Sequence, residues 1–250
     1  MIKLFRHIRQ NLLNEGKTTK YFKYAIGEII LVVIGILIAL SINNWNENRK
    51  ENRYLNMVYA QIQKDLQSDT LKVSPIIEYY TQKNNRLKDI IERNIPASFY
   101  DTINQANYSN CDKCQSDVAD FEPFQNLSKG YQLLKSMNIN QDFKVDSLSF
   151  KIDAFYAESN LSLTTMNTIF YNLTTEAIDH YQQYNWFVEW SDLQNRTYNK
   201  EFITYIFESE EYRIKSARHL IYSKYFYHYL KDYKKNATEI LKSLDEKLKE

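Results

Sequence analysis

Glycine, proline and cysteine are scarce in this 250-residue chain, which has four, three and two of them. Turns, bulges and hairpins lean on glycine and proline, so their shortage disfavours strand-rich folds and predicts a mostly helical protein. After Gly35 the only glycine is Gly130, which leaves no sequence for a glycine-rich phosphate cradle or a nucleophile elbow. No HExxH motif occurs, and the chain carries no catalytic constellation, so no enzymatic activity, cofactor or metal is expected. An excess of one charge is lacking too. With 32 Lys+Arg against 31 Asp+Glu there is no basic footprint for nucleic acid, which is excluded as a partner.

Aromatic side chains are plentiful, with 21 Tyr and 13 Phe. Each Tyr needs a wet end or a partner for its hydroxyl, which suits slender helical bundles with tyrosines partly at the surface.

One long apolar run stands out, the 18 residues from Ala25 to Ile42. About 20 residues cross a bilayer core, and Tyr24 with Asn43–Trp45 complete the length at the interfaces. The expected transmembrane helix is 24–44. Tyr21, Phe22 and Tyr24 precede it and Trp45 follows it, as an interfacial aromatic belt does. Lys3, Arg6, Arg9, Lys17, Lys20 and Lys23 stand before it; Arg49, Lys50 and Arg53 follow closely. That bias puts the N-terminus in the cytoplasm and the rest of the chain outside. Ala39-Leu40-Ser41 offers a rival signal-peptidase site, but signal peptides have a short n-region and an apolar run of about 7–15 residues. An uncleaved anchor is expected.

Within the run, Glu28 is either an edge carboxylate near Lys20 and Lys23 or a functional intramembrane acid. Gly35 and Ala39 form a small-xxx-small pair through which two spans can approach. Ahead of the span, Ile2, Phe5, Ile8, Leu12 and Leu13 share a helical face flanked by basic residues. Residues 1–23 therefore read as a cytoplasmic basic amphipathic segment that lies on membrane lipid or simply enforces topology. A segment of this length houses no catalytic output domain.

The stretch IRQNLLNEGKTTKYFKYAIGEIILVVIGILIALSINNWNE resembles the N-terminal signature of an uncharacterised family of single-span bacterial membrane proteins, a domain of unknown function. A weaker echo follows in FEPFQNLSKGYQLLKSMNIN, where many members carry a Gly after the Ser and this chain has Met137-Asn138. The resemblance implies a bacterial envelope protein of the inner membrane with its C-terminal part in the periplasm. It implies no chemistry.

Residues 45–250 are expected to form a periplasmic helical-bundle domain. Three stripes at 3–4 spacing support it. The first runs through Leu55, Val58, Ile62, Leu66, Val73, Ile77, Tyr80, Leu87 and Ile91. The second takes in Leu148, Ile152, Phe155, Ser162, Met166, Ile169, Leu173, Ala177, Tyr181 and Tyr184. The third comprises Tyr212, Ser216, Leu220, Ser223, Tyr227, Leu230, Ala237, Leu241, Leu244 and Leu248. Their matched lengths favour an elongated antiparallel bundle, with a shorter helix near Leu127–Met137. Pro75 marks either a kink in one continuous helix or the first position of a second, with Ser74 as N-cap. If the second long helix returns toward the membrane, Trp186 and Trp190 lie at the headgroup layer; otherwise they cap the bundle as core. Ser209 is the expected N-cap of the last helix, with Glu208, Glu210 and Glu211 on a solvated face.

An irregular loop is expected near 96–122. It holds Cys111 and Cys114, a disulfide staple by default outside the cytoplasm; redox activity and metal binding are the alternatives. Asp69-Thr70, Asp101-Thr102 and Asp146-Ser147, each followed by an aliphatic residue, resemble acceptors of envelope O-glycosylation. The function expected is that of an interaction, scaffold or accessory protein that binds other envelope proteins or itself. The alternatives are a ligand-binding sensor module working through a separate membrane partner and, behind it, a thiol–disulfide protein.

Overall fold

Helix α1, Thr18–Ile91, takes in the apolar run and the first core stripe. The computed structural model describes residues 18–138, 146–192 and 195–249; the basic amphipathic segment expected before Thr18 lies outside the described residues. After α1 come α2 (Lys129–Asn138), α3 (Ser147–Tyr181), α4 (Lys200–Glu208) and α5 (Glu210–Lys247), with single turns at Ala97–Tyr100 and Phe187–Ser191. No strand occurs among the described residues, so the protein is all-α.

The chain divides into two compact units, Met1–Met57 and Val58–Glu250. In the first, the side chains from Ile29 to Ile34 and from Ile36 to Leu40 are exposed large apolar groups apart from small Ala39. Each such Ile, Leu or Val left in water forgoes about 1.5–3 kcal/mol of burial, a cost that a lipid environment removes. By length and composition this is the one helix among the described residues fit to cross a membrane, and it is compatible with a membrane anchor.

In the second unit the core follows a helical period. Helix α1 buries Tyr59, Ile62, Leu66, Asp69, Val73, Tyr80, Lys83 and Leu87. Helix α5 buries Tyr212, Ser216, His219, Ser223, Phe226, Leu230, Tyr233, Ala237, Ile240 and Leu244. Steps of three and four alternate along α5, the 3.5-residue repeat of a coiled-coil seam; α1 keeps that phase with a gap between Val73 and Tyr80 and buries Val58 and Asp65 in addition. The third stripe is thereby corrected: His219, Phe226, Tyr233 and Ile240 are core, while Leu220, Tyr227 and Leu241 are half-buried. In α3 the core likewise takes Tyr156, Leu163 and Phe170 in place of the half-buried Ser162 and Ile169. Polar His219 fills a seam position that a search for apolar residues passes over, beside Ser216 and Ser223, which the stripe already held.

The direction of α3 corrects a second expectation. Helix α5 is antiparallel to α1: Asp69 meets Tyr233, and Arg93 meets Glu210. It is antiparallel to α3 as well, with Phe155 against Tyr233 and Glu176 against Arg218. Helix α3, however, runs parallel to α1. Tyr59 bonds Ser149 at its start, and Tyr80 packs on Phe170 further along. The chain between α1 and α3 has already returned along the length of α1, which leaves α3 to travel the same way. The connection after Tyr181 therefore lies at the Leu87 end of the domain, packed with Leu87, and not at the Tyr59 end.

Pro75 sits inside continuous α1, on its exposed side. Ser74 is no N-cap; its hydroxyl donates to the Thr70 carbonyl at 2.8 Å. Helix α1 ends with Arg93 in the left-handed region, φ 53°, while Asn94 N–H reaches back to Asp89 O at 2.9 Å. This is a closing motif that usually takes glycine, supplied by arginine in a glycine-poor chain. Ser209 caps α5 as expected, accepting from Tyr212 N–H at 3.3 Å.

Candidate functional site

The return path is a strap, residues 115–128, laid antiparallel along α1 and largely without regular structure. Its polar backbone cannot be satisfied by a ladder, so side chains of the helices do it. Arg86 holds Asp117 with two bonds, Nε to Oδ2 at 3.0 Å and Nη2 to Oδ1 at 2.8 Å. Lys83 Nζ donates to Asp120 O, and Tyr80 OH to Glu122 O at 3.0 Å. Asn167 on α3 donates to Phe124 O at 2.9 Å. Further along, Asp69 accepts from Leu127 N–H at 2.9 Å and Asp65 from Gly130 N–H at 2.7 Å. At Gly130 helix α2 lies almost on α1: a Cβ there would stand 2.5 Å from Ile62 N.

These contacts explain why charged residues occupy α1 seam positions. Lys83 is fully buried, its Nζ 5.6 Å from the centre of the Phe170 ring. Burial lowers its pKa to about 8, with Asp117 and Asp120 opposing that shift. Burial pushes the Asp117 carboxyl up, against the pull of Arg86 and Lys83. His219 on α5 is buried beside Phe170 and is pushed down to about 3 by burial, then by the charges of Lys83, Arg218 and Lys215.

At the Leu87 end the strap begins from the cysteine loop. Cys111 and Cys114 form a disulfide, buried among Leu87, Tyr108 and Val118. Neither sulfur opens an α-helix; a 3-10 turn, Asp112–Cys114, lies between them. Trp186 is buried in the same cluster, stacked on Tyr184 at 4.9 Å, and Trp190 packs edge-on to Tyr181 at 5.0 Å. Trp186 is thus part of the core of this end, the core-cap alternative of the sequence reading, and Trp190 is half-buried against it.

Between the cysteine loop and the linker from α3 to α4 lies a cleft of about 360 Å³. Trp190 and Tyr108 supply aromatic wall, Asp120, Glu189 and Asp192 carboxylates, and Arg196 a guanidinium. Arg196 stands in the left-handed region, φ 43°, with its guanidinium over the Tyr108 ring at 5.3 Å. Sequence reading singled out Trp190 and the cysteines but not this convergence, since 120, 189 and 196 become neighbours only through the strap.

The remaining sequence candidates stay apart from the cleft. Glu28 lies one turn into the apolar run, half-exposed beside Ile29 and Val32. A Cβ on Gly35 would meet nothing within 4 Å, and Ala39 is exposed, so this face is open. Trp45 is 63% exposed, with the Arg49 guanidinium 5.7 Å from its ring centre. Of the three Asp-Ser/Thr sequences, Thr102 lies on an exposed turn and Ser147 opens α3, whereas Thr70 is inside α1, bonded to Gln67 O at 3.0 Å.

Residues 28–118 match the model of DUF6090, a family of unknown function, which is consistent with an uncharacterised domain family. The match takes in most of the apolar run, the rest of α1 and the cysteine loop, and ends as the strap begins. No curated protein and no solved structure matches the chain.

Proposed function

We propose that this protein is a single-span anchor of the bacterial inner membrane, N-terminus in the cytoplasm, that displays its helical domain in the periplasm as an interaction module. The observation that carries this reading is an apolar run of membrane length that no described residue buries, in a chain whose second unit has its own packed core. The basic residues before the run support the orientation. A buried disulfide supports an oxidising compartment for the domain. In such a module the span and the outer helix faces meet other envelope proteins or a second copy, and the role is that of a scaffold or accessory subunit. The test is labelling of single added cysteines, Lys17→Cys and Ser243→Cys, in intact spheroplasts with a membrane-impermeant maleimide. Labelling at 243 but not at 17 is expected; the reverse pattern overturns the orientation. Crosslinking in native membranes then tests the partner. Recovery of the protein alone, with neither another protein nor a second copy attached, overturns the scaffold reading.

The cleft favours a second reading, a ligand-binding module that signals through a separate membrane protein. Its aromatic walls and convergent polar groups are the usual makings of a small-molecule site.

A further inference from the structure

Where the apolar run ends, α1 sorts its charges by side. At about 100° per residue, Trp45, Arg49 and Arg53 follow one another along one side of the helix. Glu47 and Glu51 fall on the opposite side, with Lys50 between the two. Glu47 is engaged there, accepting from the Asn43 amide at 3.0 Å. Trp45, Arg49 and Arg53 are all exposed. The positions three and four residues from either arginine, where a helix pairs its charges, hold Trp45, Asn46, Lys50, Asn52, Asn56, Met57 and the other arginine. None of these is an acid, so this side carries positive charge that its own helix does not neutralise.

Directly before the arginines, Ile34, Leu37, Ile38, Ser41, Ile42 and Trp45 line a shallow apolar groove. From Ile34 to Trp45 it runs about 17 Å along the helix, close to the roughly 15 Å of one hydrocarbon leaflet. Side chains on a helix lean toward its N-terminus, which turns these arginines back toward the groove. Arg49 shows it, with its guanidinium 5.7 Å from the centre of the Trp45 ring. Unneutralised guanidiniums at the end of a groove one leaflet long fit a molecule with a phosphate at one end and a hydrocarbon chain at the other. Resting on the anchor reading of the span, we propose that this side of α1 holds an anionic phospholipid. Its acyl chain lies in the groove, Arg49 grips the phosphate with its planar fork, and Arg53 adds attraction within a Debye length. A zwitterionic lipid offers the same phosphate but brings a cation of its own, which the arginines repel.

The experiment uses the full chain in nanodiscs of one fixed mixture of phosphatidylglycerol and phosphatidylcholine, with bromine high on the acyl chain of one lipid or of the other. Quenching of Trp45, read as the parent signal minus that of Trp45→Phe, is normalised to the share of brominated lipid. Lys23 stands about 33 Å from Trp45 along the helix, at the other leaflet, so its attraction for anionic lipid does not enter this signal. Trp45 is expected to favour brominated phosphatidylglycerol about three- to fivefold. Arg49→Gln with Arg53→Gln is expected to bring that ratio close to one while quenching by brominated phosphatidylcholine persists, the sign that the variant is still inserted. Asn52→Glu, which adds an acid three residues from Arg49 and removes neither arginine, is expected to lower the ratio as well. Equal quenching of the parent by the two lipids overturns the anionic-lipid site and leaves the anchor. A preference that survives both variants overturns its assignment to these arginines. No quenching of Trp45 by either lipid overturns the site and the span reading together.

Discussion

Arg86 and Asp117, 31 residues apart, meet in a two-bond pair whose side chains are only 12% and 6% exposed. The pair ties the first residues of the strap to α1, and the Gln115 amide, turned oxygen-first, adds an acceptor for Arg86 Nη2 at 2.7 Å. Removing one partner leaves the other as an uncompensated buried charge. Arg86→Met or Asp117→Leu alone is expected to cost about 3–5 kcal/mol in denaturant unfolding, and the double substitution to recover much of it. Single variants within about 1 kcal/mol of the parent would show that the pair is not what fastens the strap.

Helix side chains that satisfy a strap should leave a mark in hydrogen exchange. Leu127 N–H lies outside any helix and Gly130 N–H in the first turn of α2, both places where amides normally exchange fast. Both are expected to be protected, since Asp69 and Asp65 hold them. Asp69→Ala should deprotect Leu127 and strand the Tyr233 hydroxyl, which donates to the same carboxylate oxygen at 2.7 Å. Asp65→Ala should act on Gly130 instead. Unchanged exchange in both variants would refute the assignment.

Gly130→Ala tests the approach of α2 to α1. Its new Cβ would fall 2.5 Å from Ile62 N and 2.8 Å from Ile62 Cα, so backbone must move and not only a side chain. A loss of about 1–3 kcal/mol is expected from thermal or denaturant unfolding. Ile62→Val should not rescue it, because the closest atom belongs to the main chain.

The buried His219 gives the domain an acid-sensitive core. Its folded pKa, about 3, lies below the ordinary 6.5, so between these values the unfolded chain binds the extra proton. Stability from this residue is therefore present above pH 6.5 and lost as pH falls toward 3, by about 1.4 kcal/mol per pH unit. His219→Leu is expected to flatten that part of the stability profile. A parent profile between pH 6.5 and 4 that matches the variant's would sink the prediction.

Some of this was legible before any coordinates. The scarcity of glycine and proline foretells helices, and Ser209 marks a helix start that the structure keeps, accepting from Tyr212 N–H; the Asp146 cap of α3, which accepts from Ser149 N–H, was not read as one. The candidate cleft was not legible. Asp120, Glu189 and Arg196 look like ordinary surface charges along the chain, and no spacing rule joins positions so far apart.

By itself, then, the sequence determined what local physics controls: which segments are helical, where they start, and the long apolar run that has no place in water. Those properties depend on hydrophobicity and backbone preference within a few residues. The tertiary structure alone decided that α3 runs parallel to α1, because periodicity has no direction and the strap sets it. It also decided that His219 and Lys83 are core while Leu220 and Tyr227 are half-buried. Seam positions are assigned by the packing of three helices together, and a polar residue is tolerated there when its neighbours, and not its own hydrophobicity, supply the reason.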